Sequence, residues 1–417
     1  MKLNKFFMLG LVGLAFTACS NDDDAVNGGN EDGKVRITLS LGRTETVRSL
    51  GPTAAGLYNT ITDLDVVFYN NANAYVEAPE TVAEDTEYSK AGEIAKAVSK
   101  LASDHTATLT LKGIPASAAK VYIVANQNGK SHQVDISSLD AAKNTLIYLN
   151  DQVIDDYNSF SGEESHMTGL ASIGTDNSVN VELRAVPSRI ELQNVNAVPV
   201  PTGETWGGAQ ITSFTVLGFY VNAFYTNGHL DPTIDENNSS SRQKIDGESV
   251  VSNYDTAESG TGLYKASTWG FMCDEPTDGQ ITYATGTFDE EDNPTGTLYT
   301  AAPVPATNYW GYHILQGDVP HVVVKLNVVY DDNTTAVKFL TINKYTYAGN
   351  FTEPNNGPVH NQGDPVDKVL RGHVYRISNI NFDVADLTDV PYEGTKTVSA
   401  SVSVLPWVGV EVNPGFN

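Results

Sequence analysis

The residues whose types and spacing could do chemistry stand in the first 48 positions. Thr17 and Ala18 put small side chains just ahead of Cys19, which is what a signal peptidase requires before its cut and what lipid attachment requires after it. Upstream, Lys2 and Lys5 flank the start of an apolar stretch from Phe6 to Phe16 that is too short to span a bilayer. Residues 1–18 therefore read as a lipoprotein signal peptide, with an ordinary secretory signal and an incidental cysteine as the alternative. Arg43 and Arg48 offer a second kind of chemistry. They lie in the polar stretch Gly42-Arg43-Thr44-Glu45-Thr46-Val47-Arg48-Ser49, which an arginine-specific, trypsin-like protease could reach.

Between the thiol and the arginines lies one element that must be positioned. Ser20-Asn21-Asp22-Asp23-Asp24 is acidic and unable to pack, so it reads as a solvated tether. Lys34-Val35-Arg36-Ile37-Thr38-Leu39-Ser40-Leu41 then alternates strictly. Val35, Ile37, Leu39 and Leu41 fall on one side of a period-2 pattern, which predicts one strand with a buried face. A strand followed by a cut site can be removed after folding, so residues 19–48 read as a pro-segment.

Other chemistry is thinly supported. Gly-rich phosphate loops, paired metal-binding histidines and nucleophile elbows are missing from the sequence, and the 8 histidines are scattered. His313, His321, His360 and His373 read as turn caps or partners of aromatic rings. Asp289-Glu290-Glu291-Asp292-Asn293 lacks the spaced ladder of a calcium loop and reads as a solvated hairpin tip. Cys273 has no partner once Cys19 is lipidated, so it reads as a small buried hydrophobe. The net charge of −26 argues against nucleic acid or anionic lipid headgroups as partners. No enzyme, cofactor or metal is expected.

The rest of the chain is strand-rich. Its length exceeds one ordinary core and predicts two domains. Ile61 to Tyr69, Thr106 to Leu111 and Lys120 to Asn126 are apolar or alternating runs bounded by turn residues. Glu93 to Leu101 carries Ile94, Ala97, Val98 and Leu101 at helical spacing, and a second short helix is predicted from Ser138 as N-cap to Leu146. Val179 to Leu192 reads as two strands hinged at Pro187, a residue that cannot sit inside a central strand. The domains are accordingly placed at 49–185 and 186–417. Ile211 to Tyr220, Val322 to Tyr330, Ala336 to Ile342 and Val374 to Phe382 continue the strands, with a hairpin loop at Tyr330-Asp331-Asp332-Asn333-Thr334. The stretches 226–259 and 347–367 read as surface loops. At the end, Val398, Ala400, Val402 and Val404 alternate, Leu405-Pro406-Trp407 follows, and Val408, Val410 and Val412 alternate again. By pattern alone this is a final strand paired within its own domain.

These features together resemble a family. The lipoprotein signal with its acidic tether, the strand ending near Arg48, Lys120-Val121-Tyr122-Ile123-Val124-Ala125-Asn126, Met167-Thr168-Gly169 followed by Leu183-Arg184-Ala185-Val186-Pro187-Ser188-Arg189-Ile190, Gly372-His373-Val374-Tyr375-Arg376-Ile377, and Val402-Ser403-Val404-Leu405-Pro406-Trp407-Val408 resemble a fimbrillin, the shaft subunit of the type V pili of Bacteroidales. The likeness runs through the chain in the family's order. Gly372 departs from it, standing where the family often has Asn.

The resemblance implies an all-β chain of two transthyretin-like, Greek-key β-sandwich domains with a few short helices. It also implies a lipoprotein precursor held at the outer membrane through lipid on Cys19 and cut after Arg48, with Arg43 the alternative. Loss of the strand carrying Val35, Ile37, Leu39 and Leu41 would expose an apolar groove. The C-terminal segment of another copy, with Val398, Ala400, Val402, Val404, Trp407, Val408, Val410 and Val412, would fill it by strand addition. Partners implied are other fimbrial subunits, an arginine-specific surface protease, and host or bacterial surface ligands, with an extracellular fimbrium as the destination. Two other readings are a minor subunit, serving as anchor or tip adhesin, and a glycan-binding lipoprotein using Trp206, Trp269 or Trp310.

Overall fold

The computed structural model describes residues 33–41, 61–104, 106–128, 130, 133–152, 165–198, 210–231, 310–353, 357–390 and 398–406, with short strands at 242–243, 263–265, 282–283 and 299–301. The chain is all-β apart from two α-helices and short 3-10 turns among these residues. Its strands form two large curled sheets, one for each of two β-sandwich domains.

The first sheet uses β1 (Val35–Leu41), β2 (Leu64–Tyr69), β3 (Tyr75–Val76), β4 (Thr106–Leu111), β5 (Lys120–Ala125), β7 (Met167–Ser172) and β8 (Ser178–Ala185), in the spatial order β3-β2-β5-β7-β8-β1-β4; the short β6 (Leu146–Tyr148) lies outside it. The sheet folds over on itself at β8. Residues 178–183 of that strand pair with β1, while Ala185 and Arg184 pair with Met167 and Thr168 of β7. Gly169 permits the crossing, because a Cβ there would stand 2.5 Å from Val181. The enclosed core joins Ile37 and Leu39 of β1 to Val66 and Phe68 of β2, Ile123 of β5 and Val181 of β8.

Helix α1 (Lys90–Asp104) lies over β4 and closes this core with Ala97 and Leu101. It contains the expected 93–101 segment and begins earlier, because Ser89 Oγ accepts the Gly92 N–H at 3.2 Å and Glu80 accepts that of Ala91 at 2.9 Å. Helix α2 (Leu139–Asn144) starts as the sequence predicts, with Ser138 Oγ accepting the Ala141 N–H at 3.0 Å.

Strand β2 is buried on both faces. Val66 and Phe68 point into the first core; Val67 and Tyr69, with Tyr122 and Val124 of β5, join a second and larger core. That core includes Leu139, Ala142 and Ile147, and extends through the interior of the second sheet. Apolar contact is therefore continuous from one sheet to the other.

The second sheet uses β9 (Ser188–Ala197), β10 (Ile211–Asn222), β11 (Trp310–Ile314), β12 (His321–Tyr330), β13 (Thr335–Tyr347), β14 (His373–Phe382) and β15 (Val398–Pro406). Its central order is β10-β12-β13-β15-β14-β9, with β11 also paired to β9. The β12–β13 turn closes as expected, with Tyr330 N–H donating to Thr334 at 2.9 Å and Asn333 at φ +63°. Two stretches expected to be loops contain small pairs. Residues 227–229 pair with β6, and 351–352 pair with 359–360. Two- and three-residue strands are too short for any periodicity to reveal them.

Val186 and Pro187 join β8 to β9. The turn before β14 reaches back to this link: Gly372 N–H donates to Pro187 O at 3.0 Å, and the Arg371 guanidinium donates to Arg184 O at 2.7 Å and Ala185 O at 3.2 Å. Gly372 sits at φ +67°, the left-handed region that glycine, and less readily asparagine, tolerates.

Beside this junction, Glu191 is fully buried between two guanidinium groups. Its carboxylate oxygens accept from Arg189 Nε and Arg376 Nε, each at 2.9 Å, and Arg189 is itself wholly buried. Register places Glu191 opposite Arg376 on the neighbouring strand. Removing the carboxylate would leave two buried cations facing each other. Glu191→Leu is therefore expected to lower stability by about 3–5 kcal/mol, measured by urea unfolding, while a surface control such as Glu182→Gln changes it by under about 0.5 kcal/mol.

Candidate functional site

Strand β1 is bonded on both edges. It runs antiparallel to β4, from Val35 opposite Leu111 to Ser40 opposite Thr106, and parallel to β8, from Arg36 opposite Ser178 to Leu41 opposite Leu183. Arg36 N–H also donates to Asn177 O at 2.9 Å, and Ile114 N–H to Gly33 O at 2.8 Å. Val35, Ile37 and Leu39 are buried, Ile37 and Leu39 completely, while Arg36 between them is exposed. Burying three such side chains is worth about 5–9 kcal/mol before chain entropy. Withdrawing β1 would uncover that apolar row and leave the facing edges of β4 and β8 unbonded at once.

Strand β15 occupies a comparable setting in the second sheet. It runs parallel to β13, pairing Val398 with Ile342 and Val402 with Tyr347, and antiparallel to β14, pairing Ser403 with Arg376 and Pro406 with His373. Ala400 and Val402 are buried in the larger core, whereas Ser399 and Ser401 are exposed. In this structure, then, residues 398–406 are held within their own domain. The pairing with β14 runs from Ser403 to Pro406 without a register shift.

Rings close the core beneath the end of β15. Tyr347 stacks on His360 at 4.6 Å and on Phe351 at 5.8 Å, and Phe351 meets His373 edge-on at 5.5 Å. The chain of rings thus runs from β13 on one side of β15 to β14 on the other. His360 Nε2 lies 2.8 Å from Glu353 Oε1. His360 and His373 do pack beside aromatic rings as expected, but nothing in the sequence pattern announced that they share one stack. The Arg371 clamp and the Glu191 cluster were equally invisible.

Cys19, Arg43, Arg48, Trp206, Trp269, Cys273, the 289–293 loop, Trp407, Val408, Val410 and Val412 lie outside the described residues. Leu41, Val398, Val404 and Trp310 are described by their backbone. Among the described residues no group of three His, Cys, Asp or Glu side chains could hold a metal ion, and no helix is long and apolar enough to cross a membrane.

His166, just ahead of β7, ties the two domains together through its carbonyl, which accepts the Val186 N–H at 2.8 Å. Gln152 Oε1 accepts the His166 backbone N–H at 3.0 Å, so the Gln152 amide nitrogen is left to donate to Nδ1 at 2.7 Å. Burial, with Lys130 adding to it, pulls the His166 pKa down to about 4; burial also lowers that of His373. A neutral buried base binds its proton more weakly than the unfolded chain does. Stability should therefore fall as pH drops from about 6.5 towards 4, by up to about 3 kcal/mol from His166. Urea unfolding from pH 7 to 4 tests this, with His166→Gln expected to flatten the slope.

Residues 34–194 match the family model described as major fimbrial subunit protein (FimA). The match begins one residue before β1 and ends within β9. No curated protein matches the chain. Among solved structures, a fimbrilin (fimA) from Porphyromonas gingivalis W83 is 12% identical over 91% of this chain and 99% of its own, with a TM-score of 0.46. A candidate cell adhesion protein from Bacteroides eggerthii DSM 20697 is 15% identical over 91% and 98%, with a TM-score of 0.42. Another from Parabacteroides distasonis ATCC 8503 is 13% identical over the same shares, with a TM-score of 0.46. Likenesses this distant carry no further argument.

Proposed function

From the match of residues 34–194 to the family model described as major fimbrial subunit protein, we propose that this chain is a structural pilin, the shaft subunit of a surface fimbrium. It is exported as a lipoprotein anchored at the outer membrane through Cys19. An arginine-specific protease then cuts after Arg48, or after Arg43, and releases β1. The subunit polymerises by accepting the C-terminal segment of another copy, within Val398 to Phe416, into the vacated groove. The family is structural rather than enzymatic, and adhesion is the role of the assembled fimbrium.

One observation carries this reading. β1 is an interior strand with three inward aliphatic side chains, and the only arginines before residue 184 other than its own Arg36 follow it at once, at 43 and 48. Its removal would create a groove that is unfavourable until another strand fills it, because both backbone edges and the apolar floor lose their partners together. A strand from a second copy restores both. Since donor and acceptor are different surfaces of one chain, the contact is heterologous and repeats head to tail without closing.

The test is a double substitution, Arg43→Ala with Arg48→Ala, in the full precursor expressed on cells. Folded, uncleaved, lipid-anchored monomers are expected, with filaments absent by electron microscopy. Normal filaments from this variant would refute proteolytic activation. Mass spectrometry of the filament's N-terminus, expected at Ser49, decides between the two arginines.

A further inference from the structure

We propose that the link between the two domains carries a latent cleavage site, the Arg184–Ala185 peptide bond, and that Arg371 guards it against the arginine-specific protease that processes the pro-segment. The inference rests on the protease of the reading above and concerns a different bond. Hydrolysis there would add water across the bond, leaving a carboxylate on Arg184 and an amino group on Ala185, and would sever the chain between its domains.

Three observations carry it. The first is the setting of the arginines that follow the pro-segment. Arg189 and Arg376 lie inside the second sheet with side chains 0% and 7% exposed, and both donate to Glu191. A trypsin-like pocket must take up the whole guanidinium, so burial closes these two sites. Arg242 is described by its backbone, which pairs with Tyr225. Arg184 differs from them: its side chain is 28% exposed and is held by Glu182 Oε1 at 2.8 Å on the surface of the sheet.

The second is the open flank at the end of β8. Pairing with β1 stops at Leu183, opposite Leu41. Beyond it, Arg184 and Ala185 have β7 as their neighbouring strand among the described residues, through Thr168 and Met167. A protease takes its substrate as an extended strand, and a strand edge without a neighbour is where another chain can align. Departure of β1 would lengthen that open edge back to Ser178, at the moment when the protease is at hand.

The third is the way Arg371 meets this opening. Its guanidinium donates to Arg184 O at 2.7 Å and to Ala185 O at 3.2 Å. The carbonyl of the latent bond is therefore already bonded, and an oxyanion hole cannot polarise it without first displacing Arg371. The same contact keeps the Arg371 side chain out of a protease pocket. Its own peptide bond is held at both atoms: the Arg371 carbonyl accepts from His373 Nδ1 at 2.6 Å, and the Gly372 N–H donates to Pro187 O at 3.0 Å. Gln316 Oε1 accepts the Arg371 N–H at 3.1 Å and fixes the turn that presents the guanidinium. An ammonium group lacks the rigid planar fork that spans two neighbouring carbonyls.

The experiment digests the full precursor as wild type, Arg371→Met and Arg371→Lys with an arginine-specific endoprotease and identifies the new N-termini by mass spectrometry. Between Lys143 and Arg242 the sequence holds Arg184, Arg189 and no lysine, so a fragment beginning at Ala185 has one origin. Arg371→Met is expected to release that fragment at least about tenfold faster than wild type, and Arg371→Lys at an intermediate rate, because cleavage follows the population of the opened link. Fragments beginning at Ile190 or Ile377 should stay absent in all three, and digestion by a lysine-specific protease should be unchanged. Equal release of the Ala185 fragment from wild type and Arg371→Met would overturn the guard. Fragments at Ile190 and Ile377 appearing in step with that at Ala185 in both variants would show that Arg371 holds the whole domain together, and would overturn it as well. A wild-type precursor left uncut after Arg43 and Arg48 would refute the processing reading instead, and the comparison at Ala185 would still decide the guard.

Discussion

The constraint on which this structure depends is that an interior β-strand must be hydrogen-bonded along both edges. β1 meets it with β4 on one side and β8 on the other, one antiparallel and one parallel. Because the strand also supplies Val35, Ile37 and Leu39 to the first core, its edges and its floor cannot be lost separately. Withdrawing the strand would change a closed sandwich into an open one. The same two-sided requirement explains why β15 is embedded between β13 and β14 and not laid along a free edge.

Around these strands the molecule is stiffened at the junction. Arg371 bonds the carbonyls of Arg184 and Ala185, Gly372 bonds that of Pro187, and His166 bonds the amide of Val186. Four consecutive residues of the link are thereby fixed from outside. Glu191, between Arg189 and Arg376, adds a buried charged cluster a few residues further on. Desolvation offsets much of the attraction in such a cluster, so removing one partner costs more than the intact cluster contributes to net stability.

The sequence determined a good deal by itself. Strict alternation marked β1, and Pro187 marked the break between β8 and β9, because a proline cannot donate within a ladder. The apolar spacing of Ile94, Ala97, Val98 and Leu101 marked α1, and Ser138 marked the start of α2. Cys19, Arg43 and Arg48 were legible as chemistry only, from residue type and neighbours. What period-2 and period-3.6 patterns encode is which face is buried, and that is local information.

Tertiary structure alone decided which strands are neighbours. Nothing local told that β8 leaves β1 for β7 part-way along, or that β15 lies between β13 and β14. Pairing is fixed by contacts between residues far apart in the chain, such as Arg376 with Glu191 at a separation of 185. Nor could the sequence tell that Tyr347, Phe351, His360 and His373 form one stack, since they come from two strands and a short hairpin with no common period. Alternation named the faces of β1 and β15; only the fold could supply their partners, because a hydrogen bond between strands has no signature in either strand alone.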